Sequence, residues 1–201
     1  MMIKLAFDIG CNVGNYSLKL IENNFKVIAV DPHPSLFTST PENVKRVYAA
    51  CSDKPGSIDF YFCPENTIST ADVDWVTNSR FSDRKLWYKT KVNSTTIDHL
   101  VSEYGAPDHI KIDVEGYELT CLQGMTRKYA DEVCFEWAEE KGESAIECVD
   151  YLSKLGYTEF GFILTDEYLL KPEIYYSKED FINNFHFDKK RKELWGMVWA
   201  K

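Results

Sequence analysis

The chain has 201 residues, of which 44% are apolar, and a formal net charge of −9. This length and apolar fraction suit one domain with a sizeable core. The negative charge argues against a nucleic-acid partner, because no basic stripe is present to displace counterions. Six scattered cysteines without a Cys-x-x-Cys pair indicate reduced thiols and a cytoplasmic protein. No apolar run approaches the length of a membrane span.

The first residues predict a buried strand, a tight loop and a helix. A short apolar run ends at Asp8, a loop with Gly10 and Gly14 follows, and apolar side chains then recur with helical spacing. The two glycines leave room where a ligand or the strand–helix crossing must come close. This order is typical of the opening unit of a nucleotide-binding α/β sheet.

A second apolar run, 25–30, ends at Asp31, whose carboxylate suits a ribose diol. Three interpretations fit this pattern: an NAD site, an S-adenosylmethionine (SAM) site, or an ordinary turn without a ligand. The loop reads G-x-x-x-G rather than G-x-G-x-x-G, and Asp8 is a poor neighbour for a diphosphate. SAM has no phosphate and carries two cationic groups that acidic residues favour. We therefore prefer SAM.

The middle of the chain predicts two further strands and an irregular insertion. Residues 44–51 form the third strand, a turn follows at 52–56, and 58–62 is a returning strand. Residues 63–93 are long for a connector, and such loops are often lids or binding loops. The alternative is a surface helix whose tryptophans pack on the sheet. The substrate-binding candidates in this segment are Trp75, Arg80, Arg84, Trp87 and Tyr88.

The second half alternates strands and helices. A threonine-capped helix begins near Thr96. The predicted strands after it are 109–114, 133–137, 158–163, 167–170 and 194–200, and the predicted helices begin near 118, 143 and 177. This order implies a mostly parallel sheet with an antiparallel edge strand and helices on both faces. Ligands of such sheets lie beyond the carboxyl ends of the strands. The candidates expected at that edge are Asp8, Asp31, Cys51, Ser52, Asp113 and Glu136.

Four ordered motifs resemble the FkbM family of SAM-dependent O-methyltransferases. They are 7–17 (FDIGCNVGNYS), 50–53 (ACSD), 94–100 (STTIDHL) and 110–118 (IKIDVEGYE). The resemblance covers roughly residues 5–140, and four motifs in order are more specific than any one of them. Cys11 stands where the family usually has a small residue such as alanine, and the resemblance fades after residue 140.

The resemblance implies a class I methyltransferase fold with a seven-stranded sheet in the order 3-2-1-4-5-7-6. It also implies that Asp31 binds the ribose, while Cys51 and Ser52 lie at the adenine. The residues implied for the methionine part are Asp8, Gly10, Asn12 and Gly14, and Asn15 and Asp113 complete the expected cofactor-binding set. Family members mostly methylate hydroxyls of natural products and sugars.

Methyl transfer to a hydroxyl needs a group that removes the proton or a metal that acidifies the hydroxyl. The catalytic candidates are Asp113, Lys111 and Glu136, since all three lie near the ends of strands expected to be neighbours. Asp113 and Glu136 resemble the carboxylate pair that holds magnesium in catechol-type O-methyltransferases, so Mg²⁺ or Mn²⁺ is a candidate cofactor. The alternatives are helix capping for Asp113 and a buried ion pair with Glu136 for Lys111.

The expected function is methylation of a sugar or glycan hydroxyl. The alternatives are methylation of a non-sugar natural product, a dinucleotide-dependent oxidoreductase, and a SAM-binding module without catalysis. Strand 1 begins near residue 3, which is also what an excised module looks like. We therefore expect that this single methyltransferase domain belongs to a longer polypeptide, in which a glycosyltransferase is the expected fused partner.

Overall fold

The computed structural model describes residues 3–33, 44–84, 87–165, 167 and 169–201. Residues 85 and 86 of the predicted insertion and residue 168 of the predicted strand 167–170 lie outside these ranges. No helix within the described part of the chain combines the length and the apolar character needed to cross a membrane.

The described residues form strands and helices in alternation. The strands are β1 (Lys4–Ile9), β2 (Phe25–Val30), β3 (Lys45–Val47), β4 (Ala50–Cys51), β5 (Gly56–Phe62), β6 (Tyr88–Thr95), β7 (His109–Ile112), β8 (Glu132–Ala138), β9 (Phe160–Ile163) and β10 (Trp195–Ala200). The helices are α1 (Asn15–Glu22), α2 (Val73–Asn78), α3 (Ile97–Tyr104), α4 (Glu118–Gln123), α5 (Gly142–Lys154) and α6 (Lys178–Asn184), with short 3-10 turns at Asn66–Ile68 and Glu139–Lys141.

The main sheet has the order β3-β2-β1-β7-β8-β10-β9 in the described part of the chain. When the seven strands of this sheet are numbered from 1 to 7 in chain order, the order reads 3-2-1-4-5-7-6, as predicted. Neighbours from β3 to β8 are parallel, and β10 is antiparallel to both β8 and β9. The antiparallel strand therefore lies one position inside the edge rather than at the edge itself. The fold is the predicted α/β class I methyltransferase architecture.

A second sheet, β4-β6-β5, corrects two of the sequence predictions. The single strand predicted at 44–51 is wrong, because β3 pairs with β2 while β4 pairs with β6. Tyr48, which is 51% exposed, lies between the two short strands. The predicted insertion 63–93 is not irregular throughout. Its last residues begin β6, which pairs antiparallel with β5 from Gly56 to Phe62.

The strand predicted at 167–170 is also wrong, since Glu167, Leu169 and Leu170 lie outside any strand. Leu169 has a φ of 63°, a left-handed conformation that a strand does not accommodate. The helix predicted near 177–185 is confirmed as α6. The threonine cap is confirmed too, because the Thr96 side chain accepts a hydrogen bond from the His99 amide at 3.1 Å.

The core lies on both faces of the main sheet, as the alternation of strand side chains requires. The larger side packs α3, α4, α5 and α6 on the sheet through buried residues such as Leu100, Leu122 and Leu152. The other side packs α1 on the sheet through Tyr16 and Leu20, next to Met197 and Trp199 of β10. Helices therefore cover both faces, as predicted, and the α1 side is the one on which the site lies.

Candidate active site

The loop after β1 is shaped by a close approach between two strand ends. Gly10 has a φ of 72°, and a Cβ built there would lie 1.7 Å from the carbonyl oxygen of Asp113. The Gly10 and Cys11 amides both donate to the carbonyl of Val30, at 2.9 and 3.2 Å. Only glycine fits this position, so the loop forms a cradle at the carboxyl ends of β1, β2 and β7. A side chain at residue 10 would collide with the backbone of Asp113 at the end of β7.

Asp31 follows β2 and is held by backbone amides. One carboxylate oxygen accepts from the Asn12 amide at 3.1 Å, and the other accepts from the His33 amide at 2.8 Å. Burial raises the pKa of Asp31, and these two hydrogen bonds oppose that effect. Each oxygen retains a lone pair, so the fixed carboxylate is able to accept from the two hydroxyls of a ribose.

The registers of the strands place the polar residues of the site in rows across the α1 side of the sheet. Asp8 lies opposite Lys111, Lys111 lies opposite Cys134, and Cys134 lies opposite Trp199. Glu136, two residues further along β8, lies opposite Met197. Side chains two residues apart in a strand share a face, so β7, β8 and β10 all direct side chains to the same side of the site.

Lys111 is surrounded by oxygen atoms. Its ammonium nitrogen lies 3.1 Å from the Gly10 carbonyl oxygen, 3.1 Å from an Asp113 carboxylate oxygen and 3.5 Å from an Asp8 oxygen. Burial alone would lower the pKa of Lys111, but the charges of Asp113 and Asp8 outweigh it and raise the pKa. Lys111 is therefore a fixed cation that ties the Gly10 loop to Asp113.

Asp8 lies beneath this cation and has no exposed surface. Its Oδ2 accepts a hydrogen bond from the Ser17 hydroxyl at 2.5 Å. Burial raises the pKa of Asp8, while Lys111 and Ser17 oppose the shift. Asp8 thus acts through Lys111 and Ser17 on the shape of the loop, rather than at the surface of the site.

Three carboxylates converge beside Lys111. One oxygen from each of Asp113, Glu115 and Glu136 lies within 4.8 Å of the others. Burial, followed by the charge of Asp113, raises the pKa of both Glu115 and Glu136 well above the usual range. Carboxylate oxygens are the ligands that Mg²⁺ and Mn²⁺ prefer. This donor set fits a divalent cation and equally fits a proton-accepting group.

The turn that carries two of these carboxylates is braced from both sides. Glu115 has a φ of 57°, a conformation that is rare for a residue with a side chain. The Thr70 hydroxyl donates to the Glu115 carbonyl at 2.8 Å. On the other side, Glu118 accepts from the amides of Val114 and Gly116 at 3.0 and 3.2 Å. Burial raises the pKa of Glu118 to about 7.

A cavity of about 300 Å³ opens over this edge of the sheet. Eight of the eleven candidates predicted for cofactor binding or catalysis line its wall. Those that line it are Gly10, Asn12, Asn15, Asp31, Cys51, Lys111, Asp113 and Glu136. Gly14 shapes the start of α1 with a φ of 86° and lies outside the lining. Ser52 is 1% exposed and lies behind the wall, where its hydroxyl is 3.3 Å from that of Tyr117.

None of the five predicted substrate-binding residues lines the cavity. Trp75 is 2% exposed and packs behind Gly116. Arg80 forms an ion pair with Glu140 at 2.5 Å, and Arg84 pairs with Glu65 on the surface. Trp87 is half-buried at the start of the β6 region, and Tyr88 is 68% exposed. The structure therefore does not bring these side chains to the wall of the cavity.

Other parts of the chain supply lining residues that the sequence analysis did not select. They include Tyr16, Phe60, Thr67, Ser69, Ala71, Glu115, Tyr117, Cys134, Glu167, Leu169, Met197 and Trp199. Glu115 had a signal in the sequence, since it follows Asp113 by two residues in the same motif. Met197 and Trp199 had none, because only the pairing of β10 with β8 brings them to the site.

The chain is similar to known methyltransferases. The sequence model of the FkbM methyltransferase domain matches residues 8–159. A curated relative, the hexuronic acid methyltransferase AglP of Haloferax volcanii, is 26% identical over 129 residues, which cover 61% of this chain and 50% of the relative. The chain thus spans about half the length of that protein.

Solved structures with a similar chain path include two methyltransferases. One is the precorrin-6y C5,15-methyltransferase of Geobacter metallireducens, with a TM-score of 0.45 and 12% identity over 99% of this chain and 79% of that one. Another is the Mtq2–Trm112 complex of E. cuniculi, with a TM-score of 0.48 and 10% identity over 100% of this chain and 86% of that one.

Proposed function

Because the chain belongs to the FkbM methyltransferase family, we propose that it is a SAM-dependent O-methyltransferase that acts on a sugar hydroxyl. One observation carries the proposal: Asp113, Glu115 and Glu136 meet beside the Gly10 loop and share one cavity with Asp31. Proton-accepting groups and the features that suit the cofactor therefore open into the same space. The diphosphate of a dinucleotide is negatively charged, so five acidic side chains in the wall would disfavour its binding.

The residues present fit SAM. The Gly10 loop lines the cavity and suits the methionine part, Asp31 is placed to accept from the ribose hydroxyls, and the acidic wall favours the sulfonium and ammonium charges. SAM supplies a methyl group on a positively charged sulfur, so that an O–C bond forms as the C–S bond breaks and S-adenosylhomocysteine remains.

Asp113 is our choice for the group that accepts the proton of the acceptor hydroxyl. It lies at the centre of the cluster, and its side chain is 30% exposed towards the cavity. Lys111 remains protonated, because its raised pKa excludes a role as general base at neutral pH. We assign Lys111 to the orientation of Asp113 and Glu136 to the opposite side of the acceptor oxygen.

A divalent cation is a second way in which the same cluster would activate the hydroxyl. Asp113, Glu115 and Glu136 would hold the ion, which would lower the pKa of an acceptor hydroxyl. The short spacing of the three carboxylates supports this arrangement, because like charges this close are unfavourable without a proton or cation between them.

A sugar acceptor agrees with two observations. The relative from Haloferax volcanii is named for a hexuronic acid. The cavity also combines carboxylates with aromatic and aliphatic side chains such as Tyr16 and Met197. Carboxylates accept hydrogen bonds from hydroxyl groups, and apolar side chains suit the C–H faces of a sugar ring.

The test is Asp113→Asn, with Asp150→Asn as the matched control on the exposed side of α5. We expect Asp113→Asn to bind S-adenosylhomocysteine normally and to lower the rate at which a glycoside acceptor is methylated by about a hundredfold or more, since the proton acceptor is lost. Asp150→Asn should be fully active. Restoration of EDTA-treated wild type by Mn²⁺ would identify the metal route, and full activity of Asp113→Asn would refute the assignment.

A further inference from the structure

The cavity extends across more strands than the proposed cofactor site requires. Asp31 follows β2, and Met197 belongs to β10. The sheet order places four strand intervals between β2 and β10, which is about 19 Å at the usual strand spacing. The residues proposed for the cofactor and for proton transfer extend from β2 to β8. The end of the cavity over β10 is therefore available to another molecule.

Apolar side chains form the wall at this end, which we call the β10 end. Met197 and Trp199 come from β10, Cys134 comes from β8, and Leu169 comes from the segment between β9 and α6. Tyr16 adds its ring from α1. Its hydroxyl bonds to His109 at 2.9 Å. The Tyr16 hydroxyl therefore bonds within the protein, and the ring is the part of Tyr16 that we assign to the wall.

Carboxylates border the apolar wall, and Lys111 is the one cation among the described residues that line the cavity. The charged lining residues are Asp31, Lys111, Asp113, Glu115, Glu136 and Glu167. An ammonium group has three N–H donors, and three oxygens already surround that of Lys111. A carboxylate ligand would therefore meet five acidic side chains and no free donor on Lys111. Hydroxyl groups, in contrast, would donate to Glu136 and Glu167.

We propose that the β10 end is the acceptor subsite and that it selects an uncharged polyhydroxy ring. The C–H face of the ring lies against Met197, Tyr16 and Leu169, and its hydroxyls donate to Glu136 and Glu167. This inference rests on the proposed function, and it replaces the 63–93 segment as the place of acceptor binding. It also separates this chain from its relative, whose name specifies an acidic sugar.

The position of the subsite is tested with two adjacent leucines. Leu169 lines the cavity, whereas Leu170 is 43% exposed and does not. In Leu169→Trp, the larger side chain occupies the β10 end. We expect the affinity for methyl α-D-glucopyranoside, followed by saturation-transfer NMR on the protein loaded with S-adenosylhomocysteine, to fall about tenfold or more. Calorimetric affinity for S-adenosylhomocysteine should stay within about twofold.

Leu170→Trp should change neither affinity. An equal loss of S-adenosylhomocysteine affinity in Leu169→Trp would show that the β10 end belongs to the cofactor, and unchanged glycoside binding would place the acceptor elsewhere. Either result overturns the proposal. Normal S-adenosylhomocysteine binding by the wild type keeps this failure separate from a failure of the proposed function, in which the nucleoside itself would not bind.

The substrate class is tested with a matched pair of probes. Methyl α-D-glucopyranoside and methyl α-D-glucopyranosiduronate differ only in a hydroxymethyl group and a carboxylate. We expect the neutral probe to bind about tenfold more tightly at low salt, and Glu167→Gln to reduce that preference. Tighter binding of the uronate, or no binding of the neutral probe by the loaded wild type, would contradict the proposed class.

Discussion

The carboxyl edge of the main sheet and the segment 63–93 both carry polar and aromatic residues, yet they contribute differently to the site. At the sheet edge, Asp31, Lys111, Asp113 and Glu136 all line one cavity. In the segment, the five residues selected for substrate binding pack behind the site, pair with acids or face away. Strand ends fix side chains relative to one another, whereas a long connector leaves its side chains free to serve packing.

The segment still matters to the site, but through other residues. Thr67, Ser69 and Ala71 line the cavity, and Thr70 bonds to the turn that carries Glu115. These residues are small. Among the large residues that the sequence analysis selected, Trp75 is buried and Arg80 and Arg84 form ion pairs, so these three stabilise the segment instead. In this segment, large aromatic and cationic side chains therefore did not predict which residues line the cavity.

The largest expected effect concerns the sheet edge and Gly10. In Gly10→Ala, the new Cβ meets the Asp113 carbonyl at 1.7 Å in a left-handed backbone. We expect a loss of about 4 kcal/mol or more in the free energy of unfolding, from strain and displacement of β7 together. Urea unfolding measures this loss.

The control for Gly10 is Gly156→Ala, at the end of α5. Gly156 also has a positive φ, of 102°, but nothing lies within 4 Å of its Cβ position. Only backbone strain should remain in Gly156→Ala, so we expect the free energy of unfolding to fall by about 1–2 kcal/mol. Equal losses in the two variants would mean that the close approach of β1 and β7 does not constrain the site.

A smaller effect tests whether the segment 63–93 is structural. Arg80 bonds to both carboxylate oxygens of Glu140 and to the carbonyl of Leu194. In Arg80→Met, the nearly buried Glu140 loses its cationic partner and keeps only the Arg80 amide among these donors, so we expect the free energy of unfolding to fall by about 2–4 kcal/mol. Arg84→Met removes only an exposed pair with Glu65 and should cost less than about 0.5 kcal/mol.

The acceptor KM is the second measurement on Arg80→Met and Arg84→Met. If Arg80→Met left stability unchanged and raised the acceptor KM, the segment would regain a direct role in acceptor binding. The structural account requires the opposite pattern, in which stability falls and the acceptor KM of the folded enzyme is unaffected.

The smallest effect is a pH dependence at Glu118. A carboxyl pKa of about 7 in the folded protein lies above its unfolded value of about 4.3. Between about pH 4 and pH 7, Glu118 is therefore protonated in the folded protein but ionised in the unfolded chain. The free energy of unfolding falls as the pH rises through this range, and the contribution of protonated Glu118 is lost above about pH 7. Below about pH 4 both states are protonated and no difference remains.

Glu118→Gln keeps the oxygen that accepts from Val114 and Gly116 but cannot ionise. Relative to wild type, we expect its free energy of unfolding to be similar at pH 4.5 and higher by about 1–3 kcal/mol at pH 8. Chemical unfolding in metal-free buffer at the two pH values is the measurement. A difference that is constant with pH would mean that Glu118 is ionised normally in the folded state.

The sequence was most informative where one backbone element determines one side chain. A buried apolar run that ends in an acid predicts a residue at the edge of a parallel sheet, and Asp31 and Asp113 follow this rule. Thr96 was predicted as a cap from local hydrogen-bonding chemistry alone, and the cap is confirmed.

The sequence was least informative where distant pairings decide the position. Ala50 of β4 pairs with Ser94 of β6, which lies 44 positions further along the chain, and nothing local in either strand indicates this pairing in a second sheet. The insertion of β10 between β8 and β9 likewise brings Met197 and Trp199 to the site without a local signal. Such pairings depend on the whole chain rather than on periodicity.

The most direct test of the central claim is titration calorimetry with S-adenosylhomocysteine on the wild type and on Asp31→Ala. We predict one-to-one binding by the wild type and a loss of about 1.5–3 kcal/mol in the variant, because a charged acceptor for the ribose hydroxyls is removed. NAD should not compete. No binding by the wild type, or equal affinity in the two proteins, would contradict the assignment of this sheet edge as the cofactor site.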